Sequence, residues 1–122
     1  MSRDWRLYWQ DILTSCRRII SYTAGMDQAA LVADQRTYDA VVRNLEIIGE
    51  AVKGLPQEAR DLAPTVEWRK VAGLRDIIAH AYFSLNDDLL WDAISNKLPM
   101  LLVAMEAAPS DHTSTGQGAA DC

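Results

Sequence analysis

Four side chains between residues 75 and 82 have types and spacings that suit phosphodiester chemistry. The segment WRKVAGLRDIIAHAYF, residues 68–83, contains Arg75, Asp76, His80 and Tyr82. An imidazole with a pKa near neutrality can move a proton to or from a ribose hydroxyl. A guanidinium, which is always charged, can hold a phosphate while negative charge develops on it. The segment is therefore a candidate site for metal-free cleavage of a phosphodiester.

Helical geometry leaves two interpretations of this segment open. Asp76 and His80 are four residues apart, so a helix places them side by side, where the carboxylate could fix the imidazole tautomer. The same spacing is typical of a surface pair with no catalytic role. Arg75 and His80 are five residues apart, about 140° around the axis, so one straight helix would not direct both at one atom. A shared site requires a bend near the helix end or a second copy of the helix.

Apolar residues at three- and four-residue spacing predict the helices around this segment. The first helix runs from Trp5 to Tyr22. Asp27 is the predicted N-cap of a short turn, and Asp34 is the predicted N-cap of a long helix that ends at Gly54. The first half of the chain is thus expected to form two long helices joined by a short one.

The second half of the chain is also predicted to be helical. A short linking helix is expected between two prolines, and the helix that carries the candidate site runs from about Glu67 to Ala81. Asn86 is the predicted N-cap of the last helix, whose apolar pattern continues past Pro99, so a kink is expected there. Because no strand-like alternation appears, the sequence predicts an all-α, up-and-down bundle of four to five helices.

Composition limits the chain to one soluble domain. Its 122 residues are 49% hydrophobic and 24% charged, an ordinary globular balance. Residues 109–122 contain no large hydrophobic side chain, so we expect a helical domain over residues 1–108 and a disordered tail over 109–122. No apolar run approaches the roughly 20 residues of a membrane span, and the charged N-terminus does not suit a signal peptide. These features predict a cytoplasmic protein without membrane contact.

Net charge and cysteine spacing limit the classes of partner. The formal net charge of −5 argues against broad nucleic-acid binding, so DNA is not an expected partner, but it allows a small local phosphate site. Cys16 and Cys122 belong to no Cys/His cluster, so neither a disulfide framework nor a zinc site is supported.

Several other polar groups have two interpretations each. Arg69 and Lys70 precede the candidate site, and the sequence does not decide between contact with RNA phosphates and ordinary surface charge. The carboxylates after residue 86 suit a magnesium site, but helix capping explains two of them, and no metal is expected. These carboxylates are Asp87, Asp88 and Asp92.

The second long predicted helix contains three charged residues and a glycine whose positions bear on how this helix packs. Arg43, Glu46 and Glu50 are spaced for a solvated face or a dimer contact, which ranks above a catalytic role. Gly49 within the helix indicates close helix packing. Three tryptophans are expected to be core or interface anchors, and these are Trp5, Trp9 and Trp68.

Two segments together resemble the HepT-like family of HEPN-domain toxins. They are RNLEIIGEAVK, residues 43–53, and the segment at residues 68–83 that carries the candidate site. The resemblance extends from about Trp5 to Glu106. The motif of this family is an Arg followed by a polar residue and then a His, with a Tyr two residues beyond the His. Arg75, Asp76, His80 and Tyr82 match these four positions. The family more often has Asn where this chain has Asp76.

The resemblance implies an activity, an assembly and a partner. It implies a HEPN-type helical fold and a metal-independent endoribonuclease without cofactor, in which Arg75 and His80 are catalytic and Asp76 supports them. Such proteins are toxins that act as homodimers, with two motifs meeting in one cleft. The implied partner is an MNT-type nucleotidyltransferase antitoxin that transfers AMP onto the motif tyrosine, here Tyr82.

A second hypothesis belongs to a different class of protein. The chain could be a non-catalytic helical subunit that binds a nucleotidyltransferase and presents substrate or nucleotide to it. The acidic net charge favours this hypothesis. The complete spacing from Arg75 to Tyr82 favours the ribonuclease, since a docking module has no evident need for an imidazole beside a guanidinium.

Overall fold

The computed structural model describes residues 3–74, Ile78 and residues 87–108, and the regular structure in these ranges is entirely helical. The all-α bundle expected from the sequence is therefore confirmed. The predicted tail at 109–122, the helix end at Ala81 and the cap at Asn86 lie outside the described residues. The helices are α1 Trp5–Tyr22, α2 Gln28–Ala33, α3 Gln35–Lys53, α4 Gln57–Arg60, α5 Trp68–Ala72, α6 Asp87–Asp92 and α7 Leu98–Glu106, with a π-helical turn, Ala93–Lys97, between the last two.

Aspartate side chains define the beginnings of the first three helices. Asp4 accepts a hydrogen bond from the backbone N–H of Arg6 at 2.9 Å. Asp27 accepts one from Ala30 N–H at 2.8 Å, which confirms this predicted N-cap of α2. Such caps satisfy backbone donors that have no partner within the helix.

Asp34 joins α2 to α3 without an intervening loop. Its backbone N–H donates to the carbonyl of Leu31 at the end of α2. Its carboxylate accepts hydrogen bonds from the backbone and the hydroxyl of Thr37 in the first turn of α3, at 3.1 and 2.8 Å. These hydrogen bonds lower the pKa of Asp34, because they favour the charged form. One residue therefore ends one helix and begins the next.

The core lies between the two long helices. α1 packs along α3, while α5 contacts α3 and α7 contacts α1. Trp9 is completely buried, and Trp5 and Trp68 pack on it with ring centroids 6.2 and 6.1 Å away. The expected role of the tryptophans as anchors of the core is confirmed. The other fully buried large side chains come mainly from α1 and α3 and include Ile12, Ile19, Leu45 and Ile48.

The last helix continues past Pro99, as the sequence predicts. Pro99 lies in the first turn of α7 and has no N–H with which to bond the preceding turn. The irregularity takes the form of a π-helical turn, Ala93–Lys97, directly before it. A wider turn accommodates the missing hydrogen bond, so the chain stays helical from α6 through this turn into α7.

Gly54 lies where α3 ends against a ring of α1. A Cβ at this position would lie 2.5 Å from Cε2 and 2.7 Å from Cγ of Tyr8, far inside van der Waals contact. We therefore expect Gly54→Ala to lower the free energy of unfolding by roughly 1–3 kcal/mol, the usual cost of overpacking. Urea unfolding followed by circular dichroism measures this change.

A double-mutant cycle identifies the Tyr8 ring as the cause. In a Tyr8→Ala background the added methyl group has room, so Gly54→Ala is expected to cost much less there. An equal cost in both backgrounds would contradict the steric explanation.

Cys16 is buried in the core and is not a reactive thiol. Burial raises the pKa of Cys16 from 9.0 to about 12, so the thiol remains protonated at neutral pH. We expect the peptide that contains Cys16 to remain unlabelled by iodoacetamide at pH 8 unless the protein is denatured, as mass spectrometry would show.

The raised pKa of Cys16 also predicts a pH dependence of stability. Since unfolding restores the lower pKa, the contribution of this thiol to the free energy of unfolding should decline as the pH rises from 9 to 12.

Candidate functional site

The candidate catalytic residues lie in a part of the chain of which the structure describes little. Arg75, Asp76, His80 and Tyr82 are outside the described residues. The structure does describe the residues that precede this segment, one residue within it and those that follow it. These neighbours show how the segment is attached to the bundle.

Trp68 attaches the segment to the bundle on its N-terminal side. Its side chain is buried, and its indole Nε1 donates to the carbonyls of Arg60 and Ala63 at 3.0 and 3.2 Å. Packing on Trp9 supports the other side of the ring. The indole thus satisfies its polar atom within the core and fixes the beginning of α5.

Gly73 interrupts the helix that was expected from about Glu67 to Ala81. α5 ends at Ala72, and the Gly73 N–H donates to the carbonyl of Arg69 at 3.0 Å. Leu74 and Ile78 are again helical. The prediction of one continuous helix was therefore wrong at this glycine, which has a low helix propensity because it lacks a side chain.

Ile78 shows which face of the segment is directed to the core. It is buried at 4% exposure and belongs to the main hydrophobic cluster. Val71 and Leu74 are half-buried and pack against the same cluster. The predicted apolar face is confirmed at these three positions, while its fourth member, Ala81, lies outside the described residues.

Two hydrogen bonds between helices attach the chain on the C-terminal side of the segment. The Tyr38 hydroxyl in α3 donates to Asp87 Oδ1 at 3.0 Å. Gln28 Nε2 in α2 donates to Asp88 Oδ1 at 2.7 Å. The beginning of α6 is thereby held on both α2 and α3, which the sequence did not indicate.

The acidic residues after position 86 are engaged with different partners. Besides the two bonds to α6 just described, Asp92 accepts a hydrogen bond from Asn96 Nδ2 at 2.8 Å and lies 3.7 Å from Lys97 Nζ. Among the described residues, no three His, Cys, Asp or Glu side chains are grouped so that they could hold a metal ion. The magnesium interpretation of Asp87, Asp88 and Asp92 gains no support from these contacts.

Arg60 was missed by the sequence analysis, and its role is structural. Its Nε donates to the carbonyl of Leu55 at 3.2 Å, and its Nη2 donates to the carbonyl of Val52 at 3.0 Å. These carbonyls lie at and beyond the end of α3, where helix geometry leaves acceptors without partners. Arg60 therefore caps α3, and its own carbonyl receives the Trp68 indole.

Arg69 and Lys70 both lie on the surface of α5. Arg69 is exposed. Lys70 Nζ is 3.3 Å from Glu67 Oε2 in a pair whose side chains are 74% and 70% exposed. Such an exposed pair contributes little to stability. The two cations are accessible from solvent beside the segment that carries the candidate site.

Three charged residues of α3 line an open groove of about 360 Å³ against α1. Arg43, Glu46 and Glu50 form one wall together with Ile47. The facing wall comes from α1 and the residues before it. It includes Arg3, whose guanidinium bonds Asp11 at 2.8 Å and lies 4.7 Å from the centre of the Tyr8 ring. The structure thus places Arg43, Glu46 and Glu50 together at the surface.

A comparison with protein-family models identifies the chain. Residues 12–108 match the model described as HepT-like, "Ribonuclease HepT-like". The chain belongs to the HepT-like family. The match covers the candidate segment and both of its supports, from the Trp68 anchor to the beginning of α6.

Relatives of this HepT-like protein carry ribonuclease names. A protein of Methanocaldococcus jannaschii named "Putative RNase" is 41% identical over 97 residues, which are 80% of each chain. One of Caldanaerobacter subterraneus with the same description is 41% identical over 96 residues, 79% of this chain and 86% of its own. "Probable ribonuclease HepT" of Thermococcus cleftensis is 36% identical over 101 residues, 83% of this chain and 92% of its own.

Two further findings concern this HepT-like protein. No solved structure matches it. Within the described ranges, none of its helices combines the length and the hydropathy that a membrane crossing requires.

Proposed function

We propose that this HepT-like protein is a metal-independent endoribonuclease whose catalytic residues are Arg75 and His80. The observation that carries the proposal is the family match over residues 12–108, which includes both residues at the motif spacing. The ribonuclease names of relatives that align over about four fifths of the chain support the same activity.

The chemistry assigned to the motif needs one proton acceptor and one cation. The ribose 2′-hydroxyl attacks the adjacent phosphorus while His80 assists the transfer of its proton. Arg75 stabilises the negative charge that develops on the phosphate oxygens. Cleavage of the bond to the 5′-oxygen, which takes up a proton, leaves a 2′,3′-cyclic phosphate and a 5′-hydroxyl. Asp76 supports His80 by favouring one imidazole tautomer.

The attachments of the segment support a positioned site. In the sequence, Trp68 precedes Arg75 by seven residues, Ile78 lies between Arg75 and His80, and Asp87 follows Tyr82 by five. All three of these neighbours are held by packing or by hydrogen bonds between helices. Holding catalytic groups in place before substrate binds lowers the entropic cost of the reaction.

We also propose that the protein is a homodimeric toxin silenced by an MNT-type nucleotidyltransferase. The antitoxin would transfer AMP from ATP to the Tyr82 hydroxyl, forming a phosphodiester to tyrosine and releasing pyrophosphate. The added nucleotide is bulky and anionic, so it would exclude RNA by steric overlap and by charge repulsion. Arg69 and Lys70, exposed beside the segment, are proposed contacts for RNA phosphates.

The test of the activity is cleavage of total cellular RNA in the presence of EDTA. The protein is produced without its partner, and intact mass confirms that Tyr82 is unmodified. We expect cleavage by the wild type, with products that carry 2′,3′-cyclic phosphate ends. If this unmodified protein leaves RNA intact, the ribonuclease proposal is wrong, and the nucleotidyltransferase-binding subunit becomes the better hypothesis.

A further inference from the structure

The outer face of α3 has the residue spacing of a helix contact. Arg43, Glu46, Ile47 and Glu50, here called the α3 charged face, are related as i, i+3, i+4 and i+7. Glu46 and Ile47 are half-buried, whereas Arg43 and Glu50 are exposed. All four line the open groove between α1 and α3. The face therefore combines an accessible surface with an apolar side chain at its centre.

Opposite charges on this face are available to a partner. Arg43 and Glu46 are one helical turn apart, yet neither forms a hydrogen bond or ion pair within the part of the chain that the structure describes. Arg43 and Glu46 are thus a cation and a carboxylate without ion-pair partners among the described residues. On the facing wall, the charge of Arg3 is already paired with Asp11.

The combination of charges selects the kind of partner. The carboxylates of Glu46 and Glu50 would repel a polyanion, and the guanidinium of Arg43 would repel a polycation. An occupant that satisfies both signs carries a cation and a carboxylate at the same spacing, and a second copy of this face does so. A two-fold axis makes the same patch on both subunits complementary to itself.

We infer that the α3 charged face is the surface through which two copies of this chain associate. Arg43 of each protomer pairs with Glu46 of the partner subunit as the two α3 helices cross in antiparallel directions. Ile47, the next residue after Glu46, contributes apolar area beside these pairs. The inference rests on the homodimer included in the proposed function and names the surface that forms it.

Charge reversal tests the inference through association alone, without RNA. Sedimentation velocity compares the wild type with Arg43→Glu and Glu46→Arg. Each variant places like charges opposite one another at two symmetry-related positions, so we expect the dimer dissociation constant to rise about 100-fold. Arg18→Glu, which makes the same charge change at an exposed position on α1, is the matched control and should dimerise like the wild type.

Mixing the two variants gives the decisive result. Arg43→Glu provides an all-acidic face and Glu46→Arg provides two arginines at positions 43 and 46. An equimolar mixture should therefore form a heterodimer although each variant alone is monomeric, and added salt should weaken it. Heterodimer formation also shows that both variants are folded.

Three outcomes would overturn the inference. They are a wild type that is monomeric at every concentration tested, single variants that dimerise as tightly as the wild type, and monomeric variants that do not associate when mixed. The cleavage assay judges the ribonuclease separately. A protein that cuts RNA but fails these association tests would retain the proposed activity and lose this interface.

Discussion

His80→Ala is expected to slow RNA cleavage by about 10²–10⁴-fold at neutral pH, the usual contribution of a general acid or base. The imidazole is the group of the motif whose ordinary pKa allows it both to accept and to release a proton near pH 7. Arg75→Ala should cause a loss of similar size, because no other motif residue supplies a fixed positive charge. Initial rates on a defined RNA, measured with excess enzyme, give these values.

The chain contains a matched control for this experiment. His112 is its only other histidine and lies in the segment at 109–122, so His112→Ala should cleave RNA at the wild-type rate. Circular dichroism of each variant shows that the fold is retained. Equal cleavage by wild type and His80→Ala would remove His80 from the reaction.

Trp68→Ala is expected to lower the free energy of unfolding by roughly 3–5 kcal/mol, the usual cost of truncating a buried tryptophan. The ring is 7% exposed, packs on Trp9 and bonds two backbone carbonyls. Removal leaves a cavity between α1 and α5 and also leaves the carbonyls of Arg60 and Ala63 without this donor. Urea unfolding at pH 7 measures the change.

Trp68→Phe separates the two contributions. Phenylalanine retains much of the packing but removes the indole N–H, so we expect a loss of roughly 1–3 kcal/mol from the lost hydrogen bonds and reduced contact. Trp5→Phe is the comparison at a half-buried ring, where the loss should be smaller. If Trp68→Ala were no more destabilising than Trp68→Phe, the ring would not be an anchor of α5.

Local signals explain why so much of the fold was predictable. The aspartates before α2 and α3 predict where these helices begin, because an N-cap carboxylate bonds backbone N–H groups only two or three residues ahead. The apolar spacing in α1 reports the buried face directly, and the predicted bounds, Trp5–Tyr22, are those observed. In these elements the determining interactions lie within one or two turns of the chain.

The features that escaped prediction depend on distant residues. The Tyr38 bond to Asp87 spans 49 residues, and the Gln28 bond to Asp88 spans 60. Periodicity within a helix carries no information about such pairs. Arg60 bonds carbonyls five and eight residues before it, across the turn between α3 and α4, where helix periodicity also gives no signal.

The candidate site was accessible to sequence reasoning for a different reason. The types and spacing of Arg75, His80 and Tyr82 define a motif that requires no knowledge of packing. Its surroundings were less predictable, since α5 ends before Gly73 where a helix from about Glu67 to Ala81 was expected. That Arg75 and His80 act in one site stays a prediction, which the cleavage experiments test.

The shared use of Asp34 by α2 and α3 has a consequence for where this domain tolerates changes of length. A residue added to the end of α2 would turn the rest of that helix by about 100° relative to Asp34 and α3, since no loop exists to absorb it. Leu31, which is 1% exposed, would then leave the core. By contrast, the connection between α3 and α5 contains exposed turn positions such as Pro64 and Thr65. Natural insertions and engineered tags should therefore be accommodated in that connection and excluded from the junction at Asp34.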